Sequence, residues 1–72
     1  MATVKQAIGE IDVVELLDAV GRWPAGTEGT VVSDHGDVKL IEISDRRDGQ
    51  MLDLISVPEA RLKLVEKHSG LA

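Results

Sequence analysis

Hydrophobic residues first organise at Ile11. In "IDVVELLDAV" the residues Ile11, Val14 and Leu17 recur at helical spacing, Val13, Leu16 and Val20 widen the stripe, and Asp12, Glu15 and Asp18 fall opposite. The spacing predicts a short amphipathic helix ending near Val20. Glu10 and Asp12 would stand at the positive end of its dipole, and Gly21 would be its C-terminal cap.

Beyond Val20 the period changes from helical to alternating. "GRWPAGTEG" leads into Thr30, Val31 and Val32, which favour a strand, and "DHGD" (Asp34 to Asp37) reads as a tight hairpin turn needing positive φ. In "VKLIEIS" one face carries Lys39, Ile41 and Ile43, the expected core face, and the other carries Val38, Leu40 and Glu42. Leu40 then needs a cover, for which the helix is the candidate. The charged "DRRDGQ" marks a second hairpin loop, "MLDLISV" a further strand ended by Pro58, and "PEAR" one helical turn. "RLKLVEKH" fits both periods; a short closing strand is preferred.

Residues 1–9 and 67–72 show no lasting pattern and are expected to fray, leaving 10–66 as one domain. So few short strands leave open edges unless they curl up. The expected fold is therefore mainly β: a small SH3-like antiparallel barrel preceded by one short N-terminal amphipathic helix.

Composition narrows the function. A chain of 72 residues buries only about 60% of its unfolded surface, so a wide internal pocket would be costly. At 43% hydrophobic and 29% charged it is globular, with no run long enough for a membrane span. Cysteine is absent and "MATVKQAIGEID" has no signal-peptide pattern, which suggests the cytoplasm. Thirteen acidic against eight basic residues give a net charge of −5, the wrong sign for phosphate binding. With Trp23 as the sole aromatic, a base-stacking platform is also missing.

The candidate chemistry is sparse. Gly21, Gly26 and Gly29 have neither the spacing nor the strand-then-helix setting of a nucleotide loop, and no Lys-Ser or Lys-Thr follows. Asp34, His35 and Asp37 crowd one turn and would not easily converge on a metal ion, and no cofactor is implied. Ser33 neighbours His35, but adjacent strand-end positions should point their side chains apart; Ser44, Ser56, Ser69 and His68 offer no better pairing. Asp45 and Asp48 sit beside Arg46 and Arg47, where solvated ion pairing is the default. No enzymatic activity is expected.

The order of "IDVVELL", glycines running into "EGTVV", a strand ending "IEISD", and "LDLISVPEARL" resembles the small bacterial domain-of-unknown-function family 4926 over about Ile11 to Leu64. Ile11 to Leu17 stand at that family's Asp-Val-Val-x-Leu-Leu motif. Gly26, Gly29, Thr30 and Val31 stand at its Gly-x-x-Gly-Thr-Val motif, and Leu54 to Pro58 at its Leu-Pro segment. Where the family tends to have aromatics in its second and third strands, this chain has Ile43 and Leu52. The resemblance implies an SH3-like barrel without established activity, an accessory role of immunity or antitoxin type beside a neighbouring gene product, and no inherited catalytic residue.

The expected function is a non-catalytic protein-interaction module binding a basic or neutral protein partner. Trp23, Asp34, Asp37, Leu40, Asp45 and Asp48 are its candidate contact residues, the aspartates for steering; Trp23 is read first as a lid where the helix meets the sheet, an exposed ring edge leaving it also an anchor. Val38, Leu40, Met51 and Ile55 form a second apolar surface that the helix would cover in part. Two alternatives stay open. One is a nucleic-acid-associated SH3-like domain using Arg46, Arg47, Arg61, Lys63 and Lys67; the other is a homodimeric structural protein.

Overall fold

The computed structural model of the chain describes residues 8–45 and 47–67. They form a five-stranded antiparallel sheet of β1 (Val13–Leu16), β2 (Glu28–Asp34), β3 (Val38–Ser44), β4 (Met51–Pro58) and β5 (Leu62–Glu66). One 3-10 turn, Glu59–Arg61, joins β4 to β5. The spatial order is β4-β3-β2-β1-β5.

The N-terminal helix is absent, and β1 occupies its place. A helix needs Ile11, Val14 and Leu17 on one buried stripe, but Ile11 and Leu17 are 50% and 53% exposed while Val14 and Leu16 are buried. Burial therefore alternates along "VVEL", the period of a strand. Ile11 itself has φ 74, incompatible with a helix and sterically unfavourable for a β-branched residue. Its N–H donates to Val31 O at 2.7 Å, and Asp12 O accepts from Val31 N at 3.0 Å, so the neighbouring strand holds this kink in place. Asp12, expected on the solvent side, is buried and accepts from Gly9 N and Lys67 Nζ, both at 2.8 Å. Gly21 caps no helix: Val20 and Trp23 exchange two backbone hydrogen bonds of 2.9 Å, and Gly21, φ 57, starts the tight turn between them.

The sheet is not an SH3-like barrel. β4 pairs only with β3 and β5 only with β1, so no ladder closes the ring. It is nevertheless strongly curled. A flat sheet would put β4 and β5 four strand spacings apart, about 19 Å. The three-residue turn linking them reaches at most about 14 Å from Pro58 to Leu62.

The remaining elements follow the alternating pattern. Lys39, Ile41 and Ile43 share the buried face of β3, opposite Val57, Ile55 and Asp53 of β4. The "DHGD" turn closes with His35 N donating to Val38 O at 3.0 Å and Gly36 at φ 82. "PEAR" gives the 3-10 turn, and the last segment is the strand β5. Ile8, Val14, Leu16, Val31, Ile41, Ile43, Val57 and Leu62 make an entirely aliphatic core, each fully buried side chain contributing about 1.5–3 kcal/mol. Ile8 thus belongs to the core, although residues 1–9 were expected to fray; residues 1–7 and 68–72 lie outside the described ones.

Close packing of β2 on β3 depends on Gly29. A Cβ there would stand 2.5 Å from Ile41 Cγ2 and 2.8 Å from the Glu42 carbonyl oxygen. Behind β3, no helix among the described residues covers Leu40, which is half-buried on the side of the sheet away from Ile41. No helix among the described residues is long and apolar enough to cross a membrane.

Candidate interaction site

The candidate contact residues separate to the two ends of β3. Asp34 and Asp37 flank the turn before it, and Asp45 and Asp48 lie in the loop after it. A seven-residue strand at about 3.3 Å per residue keeps the two pairs roughly 23 Å apart. Sequence reasoning grouped these aspartates by charge; the strand divides them.

At the first end Asp34 is committed to the fold by its carboxylate and Asp37 by its backbone. Lys39, turned into the core, donates to Asp34 Oδ1 at 2.6 Å and to Gly36 O at 2.7 Å, and its ammonium lies 3.5 Å from Glu59 Oε1. Asp34 also accepts from Gly36 N at 3.0 Å. The hydrogen bond from Lys39, then that from Gly36 N–H, holds the Asp34 carboxyl below its usual range. The same bond to Asp34 raises Lys39 above its usual value against the opposing effect of burial. Asp37 contributes its carbonyl, which accepts from Glu59 N at 2.7 Å and ties the turn to the 3-10 segment.

Ser33 and His35 do not point apart as expected. A register shift between Val31 and Ser33 re-aims this strand end, and Ser33 Oγ lies 2.9 Å from His35 Nε2. The pair is exposed, and no other side chain among the described residues orients the imidazole. No group of three or more His, Asp or Glu among the described residues is placed to hold a metal ion.

The second end is open. A groove of about 630 Å³ runs across β1, β2 and β3 onto Leu52, lined by Val13, Trp23, Gly26, Thr27, Glu28, Gly29, Thr30, Glu42, Ile43, Ser44, Asp45, Arg47 and Leu52. Trp23 is half-buried: its ring packs against the aliphatic core, and Nε1 donates to Asp53 Oδ2 at 2.7 Å. The 30-residue separation of this pair makes it a tie between the β1–β2 connection and the edge strand β4. Asp53 Oδ1 accepts from Leu54 N at 2.9 Å. The bond from Trp23, then that from Leu54 N–H, with Arg22 nearby, keeps the Asp53 carboxyl below its usual range.

Arg22 completes this cluster. Its guanidinium carbon stands 4.8 Å from the centre of the Trp23 ring, a cation–π contact, and its Nε is 4.0 Å from Asp53 Oδ2. The Arg22 side chain is 69% exposed, so this ion pair is a weak one. Across the groove Asp45 accepts from Arg47 N at 2.8 Å and pairs with its guanidinium at 3.4 Å; these contacts lower its pKa, the backbone bond most. Asp48 accepts from Gln50 N at 2.9 Å in the same loop without lining the groove.

Of the six candidates, Trp23 and Asp45 meet in the groove, while Asp34, Asp37, Leu40 and Asp48 do not line it. Three residues of this end escaped sequence reasoning as contacts: Arg22, Glu42 and Asp53. Asp53 carried a signal, because it is the one charge in "MLDLISVP" and stands on the parity of Ile55 and Val57. Arg46, His68 and Ser69 lie outside the described residues. Comparison with known proteins adds nothing further, since no family model fits the chain and no curated protein or solved structure matches it significantly.

Proposed function

We propose that the protein is a non-catalytic interaction module that binds another protein through the groove beside Trp23. The observation that carries this reading is the groove itself: a concavity on the sheet, with the chain's only aromatic ring at its wall and carboxylates along it. Aromatic residues concentrate binding energy at protein interfaces, and acidic rims steer basic partners. An immunity- or antitoxin-type role beside a neighbouring gene product in the cytoplasm is the form of this reading we favour.

Nucleic acid is the weaker reading because the net charge of −5 has the wrong sign for phosphate binding and a lone tryptophan makes no base-stacking platform. Arg61 donates to Asp18 at 3.1 Å, Lys67 to Asp12 at 2.8 Å, Arg47 pairs with Asp45, and Lys39 is buried. Among the described cations only Lys39 is withdrawn from solvent by burial.

Site-directed photo-crosslinking in the cells that express the protein tests the reading. A photoreactive residue at Leu52, in the groove, is expected to trap a second, different protein; the same residue at the exposed Val38, at the other end of β3, is not. Equal trapping at both positions, an adduct between two copies of this chain, or an adduct with nucleic acid would each overturn the proposal.

A further inference from the structure

β4 pairs with β3 alone, and the register fixes which of its backbone groups face out. Glu59 N donates to Asp37 O one step beyond the Val38–Pro58 pair. Bonds in an antiparallel ladder alternate, so Asp53, Ile55 and Val57 exchange theirs with β3, while Leu54 and Ser56 turn N–H and C=O outward. Met51, Leu52 and Leu54 stand exposed along the same strand. An apolar edge of this kind is a template for pairing with another chain.

The two edges of the sheet are guarded differently. β5 carries Lys63 and Glu66 in five residues, and Leu62 N–H donates to Glu59 O in the 3-10 turn. β4 has a single charge, Asp53, in eight residues. A register shift leaves Leu52 without a ladder partner near its start, and Pro58 at its end has no N–H to offer, so the stretch able to pair runs from Leu54 to Ser56. In that stretch Leu54 N–H is already taken: it donates to Asp53 Oδ1 at 2.9 Å. The other oxygen of this carboxylate accepts from Trp23 Nε1 at 2.7 Å, which holds the group against the edge.

We infer that Asp53 is a cap that keeps β4 from adding a second copy of this chain. The strand is its own match. With the copies antiparallel, Leu54 of each stands opposite Ser56 of the other, and the Ile55 residues meet at the centre. Each Leu54–Ser56 pair exchanges its outward bonds, and half of the donors are the Leu54 amides that Asp53 holds. The cap therefore withholds half of the new ladder.

The association state of the full chain tests this. Asp53→Ala frees the Leu54 amide and should dimerise roughly ten- to a hundred-fold more tightly than the parent in sedimentation equilibrium, the worth of the amide bonds it releases. Trp23→Phe removes the indole donor and leaves the cap, so it should associate as the parent does. Adding Ser56→Pro to Asp53→Ala should restore the parent's behaviour, because proline removes an outward N–H and no bond to β3. In the parent, the Leu54 amide should be protected from hydrogen exchange several-fold more than the Ser56 amide on the same edge. If Asp53→Ala does not fold, this comparison within the parent decides. Equal protection of the two amides, an Asp53→Ala chain that associates no more tightly than the parent, or Trp23→Phe dimerising as tightly as Asp53→Ala would each overturn the inference. So would association that survives Ser56→Pro.

Discussion

The two ends of β3 use the same residue types for opposite purposes. Before the strand, a lysine turned into the core gathers Asp34, the Gly36 carbonyl and Glu59, and the turn is bolted to the 3-10 segment. After it, arginines and aspartates meet on the surface through long, exposed contacts around a groove. Burial accounts for the difference. A buried ammonium must be matched by nearby acceptors, so the acids around it are bound to structure. Exposed pairs contribute almost nothing to stability and leave their members available to a partner.

Removing the cation at each end should separate the two most strongly. Lys39→Ala deletes a buried four-carbon stem and its contacts to Asp34, Gly36 and Glu59, and is expected to cost about 2–4 kcal/mol. Thermal unfolding should show this as a fall in Tm of 10 °C or more, roughly, for a domain of this size. Arg22→Ala should leave stability within about 0.5 kcal/mol of the parent. A large loss of stability in Arg22→Ala would mean that the Trp23 end is as structural as the other.

Acid should sharpen the comparison with a smaller effect. Asp34 and Asp53 both have pKa values lowered in the fold, so their stabilisation is present above about pH 4 and is lost as pH falls through the folded values. Lys39 is raised, so its contribution is complete below about pH 10.4 and is lost only as pH rises through its folded value. Urea unfolding of Asp34→Asn and Asp53→Asn should show a shallower decline below pH 4 than the parent. An acid limb unchanged in both variants would refute these assignments.

Much of the fold was legible because alternation and turn chemistry agree from Thr30 onward. "VKLIEIS" announces its buried face, Lys39 included, and "DHGD" and "DRRDGQ" carry the glycines that their turns require. β1 was not legible. It is four residues long, too short for alternation to outweigh the helical spacing of Ile11, Val14 and Leu17. The features that decide it, the positive φ of Ile11 and the burial of Asp12 against Lys67, depend on distant partners. The sheet stays open because β4 and β5 do not pair with each other, which strand lengths and turns in the sequence do not reveal. Trp23 stood out in the sequence as the lone ring, but its partner Asp53 lies 30 residues away, and the division of the acids into two ends follows only from the length of β3.

The division between a structural end and a recognition end is most directly tested by 1H–15N NMR during titration with the protein that crosslinking at Leu52 traps. The single indole Nε1–H of Trp23 and the backbone amides of Glu42 and Leu52 should move together and saturate, while those of Gly36 and Lys39 stay in place. Shifts centred on Gly36 and Lys39, or a Trp23 indole signal that does not respond, would contradict the account.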